Sequence, residues 1–187
     1  MAFEDLDGIV LIPKILTIDE KIGDANPSSG SWDSLFEALL KIYNKTVGHQ
    51  VITKWGTGDT FTEYATTSDS YSVKETITFT FNQTPTSGWD YIKLNLGLQI
   101  KSDGTHTCYG KWEVGFGSSP SSWTTLTTYS TTSSSYSTHQ DYFILSPTIF
   151  DDTTNIIKVR WSIKNSNGLS TVYGKRYGIG TCEAFWR

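Results

Sequence analysis

DYIKLNLGLQIK, residues 90–101, alternates without a fault. Ile92, Leu94, Leu96, Leu98 and Ile100 fall on one side, and Lys93, Asn95, Gly97, Gln99 and Lys101 on the other. That period of two marks a strand with one face on a core and one toward water. Ser102-Asp103-Gly104 is turn chemistry and predicts a hairpin, with Trp112, Val114 and Phe116 continuing the inward face on the return strand. The same grammar recurs at 75–81, where Ile77, Phe79 and Phe81 point in and Thr76, Thr78 and Thr80 point out. It recurs again with Ile157, Val159, Trp161 and Ile163 in, and Lys158, Arg160, Ser162 and Lys164 out. Asn165 to Gly168 predicts a second hairpin, leading into a strand over 171–175. Further strands are expected at 47–55, 123–130, 136–145 and 177–186. Roughly eight or nine strands with regular turn signals predict a mainly β chain, an antiparallel two-sheet β-sandwich of jelly-roll type.

The chain before this region reads differently. Residues 31–45, SWDSLFEALLKIYNK, place Trp32, Leu35, Phe36, Leu39, Leu40 and Tyr43 at helical spacing. Ser31 is placed to cap the helix and Asp33 to complement its positive end. Ahead of it, residues 1–30 form an arm carrying Ile9, Leu11, Ile12, Ile15 and Leu16, closed by the linker DANPSSG. Two sections follow: 1–45 as arm and helix for anchoring or oligomerisation, and 46–187 as the β domain. A helix this short is marginal alone, so its stripe must meet a surface, either one end of the sandwich or a sister subunit.

Charged residues are only 18% of the 187, so neutral Thr, Ser, Gly and Asn must cover much of the surface. That composition suits a protein facing the outside of a cell or particle. A formal net charge of −4 argues against a nucleic-acid partner. Glu4, Asp5 and Asp7 stand where an export signal would be basic, and the apolar run after them is too short for membrane insertion. Cys108 and Cys182, the only cysteines, are open to one disulfide or to two buried thiols.

Catalytic chemistry leaves little trace. His49, His106 and His139 lie far apart without metal-binding spacing, and no nucleophile elbow or phosphate loop is written. Asp103 and His106 share a turn but lack a nucleophile nearby in sequence. Glu75 and Glu113 are the strand carboxylates a glycosidase would draw on, and Glu75 is read as a strand-end residue. Asp151-Asp152 is read as a solvated turn rather than a calcium loop. No metal, cofactor or enzymatic activity is expected. Trp55, Trp89 and Trp123 sit beside turns, where they either stack on sugar rings or cap the core. Tyr129 and Tyr136 lie in or beside the uncharged Ser/Thr-rich stretch 117–138 and join them as candidate ligand-binding residues.

The organisation of arm, helix and β head resembles that of capsid decoration and head-fibre proteins of tailed viruses. The resemblance is one of layout and carries no motif. It implies a non-catalytic structural protein on a virion surface, partnered by other copies of itself and by a capsid or tail protein. A trimer is preferred because such appendages commonly follow threefold symmetry. The alternatives are a secreted carbohydrate-binding module contacting surface glycans and a sandwich hydrolase.

Overall fold

The computed structural model describes residues 48–83, 89–145 and 154–186. Ten strands occupy them: β1 Gly48–Trp55, β2 Tyr64–Thr66, β3 Ser72–Thr80, β4 Trp89–Lys101, β5 Cys108–Phe116, β6 Thr124–Thr131, β7 Ser137–Ile144, β8 Ile156–Asn165, β9 Val172–Arg176 and β10 Gly180–Trp186. The protein is mainly β, with two antiparallel sheets and no helix among the described residues. The expected arm and helix, with Ile9, Leu11, Ile12, Ile15, Leu16, Trp32, Leu35, Phe36, Leu39, Leu40 and Tyr43, fall outside those residues.

The stretch quoted first forms the spine of one sheet. β4 pairs along one edge with β7. Along its other edge it pairs with β10 over residues 89–95 and with β9 over 98–101. β9 and β10 are therefore two halves of one line, interrupted at 177–179, and β1 and β2 flank them on the far side. The second sheet runs β3-β8-β5-β6.

Register explains the core. Ile92, Leu94, Leu96, Leu98 and Ile100 are wholly buried, facing Phe79, Trp112, Val114, Ile157, Val159, Trp161 and Ile163 of the other sheet. Each such side chain contributes about 1.5–3 kcal/mol by leaving water. The opposite face of β4 keeps its lysines and amides, as alternation requires.

Neither expected hairpin forms. β4 and β5 belong to different sheets, as do β8 and β9, so 102–107 and 166–171 carry the chain across the sandwich. Gly104 and Gly168, both at positive φ, do make the chain reverse. What local chemistry could not say is where the next strand lands. Both partners of each turn have a fully apolar face, and stacking those faces buries more than laying the strands side by side. Connections 67–71 and 132–136 also cross, and the four meet at one end. There Asn165 N donates to Ser68 O (2.7 Å), Ser166 N to Thr107 O (2.9 Å) and Ser102 N to Ser133 O (2.8 Å).

Candidate functional site

The sequence candidates scatter. Trp55 is 3% exposed, its ring lying over Gly180 and stacked 6.2 Å from Trp112, with Nε1 donating to Tyr177 O at 3.2 Å. Trp89 is 5% exposed and meets Phe81 edge-on at 5.1 Å. Both rings are occupied in packing. Trp123 is half-buried outside the second sheet, its ring 4.2 Å from the Arg160 guanidinium. Arg160 Nε in turn donates to Glu113 (2.9 Å), which also accepts from Lys111 Nζ (2.8 Å). Burial pushes the Glu113 carboxyl up, but the bonds from Arg160 and Lys111 outweigh it and hold the group below its usual value.

Glu75 faces inward near the start of β3. It accepts from Trp161 Nε1 (2.8 Å) and from Arg176 Nε (2.9 Å), so it is bound into a clamp between the sheets. Arg176 lies over Trp55 and Phe61. Two strand carboxylates are thus each held by one cation together with an indole (Glu75) or a second cation (Glu113), an arrangement that fixes geometry.

Asp103, His106 and Ser170 do come together, 170 being supplied by the crossing after β8. His106 Nδ1 lies 2.7 Å from Asp103 Oδ2 and 2.9 Å from Ser170 Oγ. Both contacts fall on the same ring nitrogen. A nucleophilic triad needs serine and carboxylate on opposite nitrogens, so this trio lacks that geometry. Backbone N–H of His106, then its ring, then the N–H of Thr105 hold Asp103 well below the usual carboxylate range. The cluster reads as a turn cap.

Tyr129 and Tyr136 mark two other places. Tyr129, 8% exposed, stacks on His139 at 4.1 Å and donates to Asp141 Oδ2 at 2.6 Å. Thr131 and Ser137 hydroxyls bond at 2.7 Å beside them. These contacts close the edge where β6 of one sheet meets β7 of the other. Burial raises the Tyr129 hydroxyl, with Asp141 adding to it, and burial lowers His139. Tyr136 donates to Glu63, and Lys101 and Lys175 each lie 4.6 Å over its ring.

Cys108 and Cys182 are free, buried thiols on strands of opposite sheets. Burial pushes Cys108 up to about 12 and raises Cys182 as well. Among the described residues no cluster of His, Cys, Asp and Glu suits a metal, and no helix is long and apolar enough to cross a membrane. Asp151 and Asp152 lie outside those residues.

What the sequence did not single out is the outer face of the first sheet. Val51, Tyr142 and Ile144 are exposed there, Lys93 lies 4.9 Å over the Tyr142 ring, and His49 stacks on Phe185 at 4.1 Å. Loop 56–63 forms a wall over its middle, beside Tyr177 in the break between β9 and β10.

No protein-family model matches the chain, and no curated protein does. Among solved structures it is similar to part of a chain from the infectious bursal disease virus Gt strain, with TM-score 0.43 and 10% identity, over 76% of this chain and 34% of that one. It is similar also to part of the T13 particle of that virus, with TM-score 0.40 and 6% identity, over 75% and 39%. A third likeness is to its VP2 subviral particle, with TM-score 0.39 and 11% identity, over 76% and 38%. The chain spans little more than a third of the length of these viral chains.

Proposed function

We propose that this chain is a non-catalytic structural protein of a virus particle, its β-sandwich displayed outward and its first 45 residues serving attachment and self-association. The observation that carries this reading is the strand order. Taking β1 with β2 as one broken strand, and β9 with β10 as another, leaves eight strands in two sheets of four. Of the seven connections between them, six cross from one sheet to the other and β5 to β6 stays within one, in the manner of a jelly roll, an architecture used where a rigid, edge-managed β unit is displayed, as in viral capsids and lectins. The way the strand carboxylates are spent supports it too: Glu75 and Glu113 hold the fold together through Arg176, Arg160 and Lys111.

The role of the apolar stripe at Trp32, Phe36 and Leu39 is to bury itself against other copies, in a trimer, and against a capsid or tail protein. Immunogold labelling of intact particles with antibodies raised against residues 46–187 tests the location. Gold on the particle surface is the expected result. Labelling confined to soluble material would overturn the proposal.

A further inference from the structure

The outer face of the first sheet carries a groove of about 300 Å³, and we propose that it binds a neutral saccharide. Thr57, Asp59, Thr60, Gln99, Lys175 and Tyr177 are the side chains that matter. The volume lies at the small end of ligand clefts, which suits a ligand of few rings.

The groove is built and held. Asp59 Oδ2 accepts from Gly56 N at 2.9 Å while Asp59 N donates to Gly56 O at 3.2 Å, which closes the wall into a tight turn. The wall is tied to the floor by Trp55 Nε1 donating to Tyr177 O. Below it, Gln140 mends the break between β9 and β10, its Oε1 accepting from Ile179 N (3.2 Å) and its Nε2 donating to Ile179 O (3.1 Å). Gln99 Nε2 is fixed on Thr138 Oγ1 at 2.8 Å. A site ordered before the ligand arrives loses less entropy on binding, which matters for ligands held by many weak hydrogen bonds.

Its chemistry selects the ligand class. One carboxylate and one ammonium line it, so the wall is electrically balanced and offers an anion no net attraction. Phe61 and Tyr177 add apolar surface beside the hydroxyl and amide groups, a mixed lining that matches a sugar ring, whose C–H faces are apolar and whose rim is hydroxylated. Asp59 accepts, Lys175 donates, and Gln99, Thr57 and Thr60 do both, which matches adjacent hydroxyls on a ring. Tyr177, 38% exposed, supplies a flat face for the C–H side of a pyranose. A peptide would fit less well. Peptides join sheets by adding to an open edge, and the floor here is Gln99 of β4 and Lys175 of β9, which pair with each other, while the far edge of β4 is taken by β7.

The site differs from the tryptophans singled out by sequence, and it stands independently of the particle reading. The test is retention of the full chain on an array of neutral and sialylated oligosaccharides, followed by solution titration of the best neutral glycan. Expected is binding to neutral glycans that falls about tenfold or more in Tyr177→Ala, recovers in Tyr177→Phe and weakens in Thr60→Val. Tyr142→Ala, which removes an exposed ring outside the groove, should leave binding unchanged. Thr60→Val and Tyr177→Phe keep the test decisive should Tyr177→Ala not fold. No retention on any neutral glycan overturns the proposal. So do retention on sialylated glycans alone, binding unaltered by the Tyr177 and Thr60 variants, or preference for unglycosylated peptides.

Discussion

Gly180→Ala tests the packing at the break in the first sheet. Gly180 faces inward, paired with Trp55 across the β1–β10 ladder. A Cβ placed there would stand 2.2 Å from Cδ2 and Cε2 of the Trp55 indole and 2.3 Å from Cε3. Those atoms belong to a rigid ring, so relief requires moving the whole indole by more than about 1 Å to restore van der Waals separation. The indole has nowhere easy to go, being stacked on Trp112 and covered by Arg176 at 5.0 Å. Overpacking of this kind costs about 1–3 kcal/mol. Losing the bond from Trp55 Nε1 to Tyr177 O adds about 0.5–1.5 kcal/mol. The expected total is about 1.5–4.5 kcal/mol, read by urea or guanidinium denaturation with an unchanged m-value. Trp55→Phe in the same background should recover part of the loss, since the smaller ring vacates the space, whereas Trp55→Phe alone should destabilise. Such a non-additive pair is the signature of contact. A loss below about 0.5 kcal/mol for Gly180→Ala, or strict additivity, would refute the placement of Trp55 over β10.

Three further outcomes follow from other contacts. Burial keeps His139 less basic in the folded protein than in the unfolded chain, so the unfolded state takes up its proton first; stability should decline as pH falls from about 7 toward 5, and His139→Phe should flatten that slope. Carboxylates with lowered values, Glu113 among them, give up their contribution only at lower pH, which separates the two effects. Glu113→Ala should cost about 2–3 kcal/mol in chemical denaturation, because Arg160 and Lys111 lose a nearly buried partner; no change would show the pairs are idle. Cys108 and Cys182 should resist a thiol reagent in the native protein and both react once it unfolds; rapid native labelling, or a bridge under non-reducing conditions, contradicts their placement.

How much was legible depended on distance along the chain. The alternation of residues 90–101 and 157–163 located strands and their inward faces, because that period is local. Strand partnership was not local. Gly104 and Gly168 announced turns correctly, yet the strands they join lie in opposite sheets. Glu75 was read as a strand-end residue, and its actual partner, Arg176, lies 101 residues away. Trp55 and Trp89 beside their turns carried the same signal whether they faced a ligand or the core; only the stacked sheets decide. The groove was invisible for a related reason. Asp59, Gln99 and Tyr177 come from three separate segments, and none belongs to a motif.

The central claim is self-association through the first section of the chain, and light scattering coupled to size exclusion tests it most directly. The account predicts that the 187-residue chain elutes as a discrete oligomer with the mass of a trimer, while residues 46–187 elute as a folded monomer. Monomers for both, with equal stability, would contradict it.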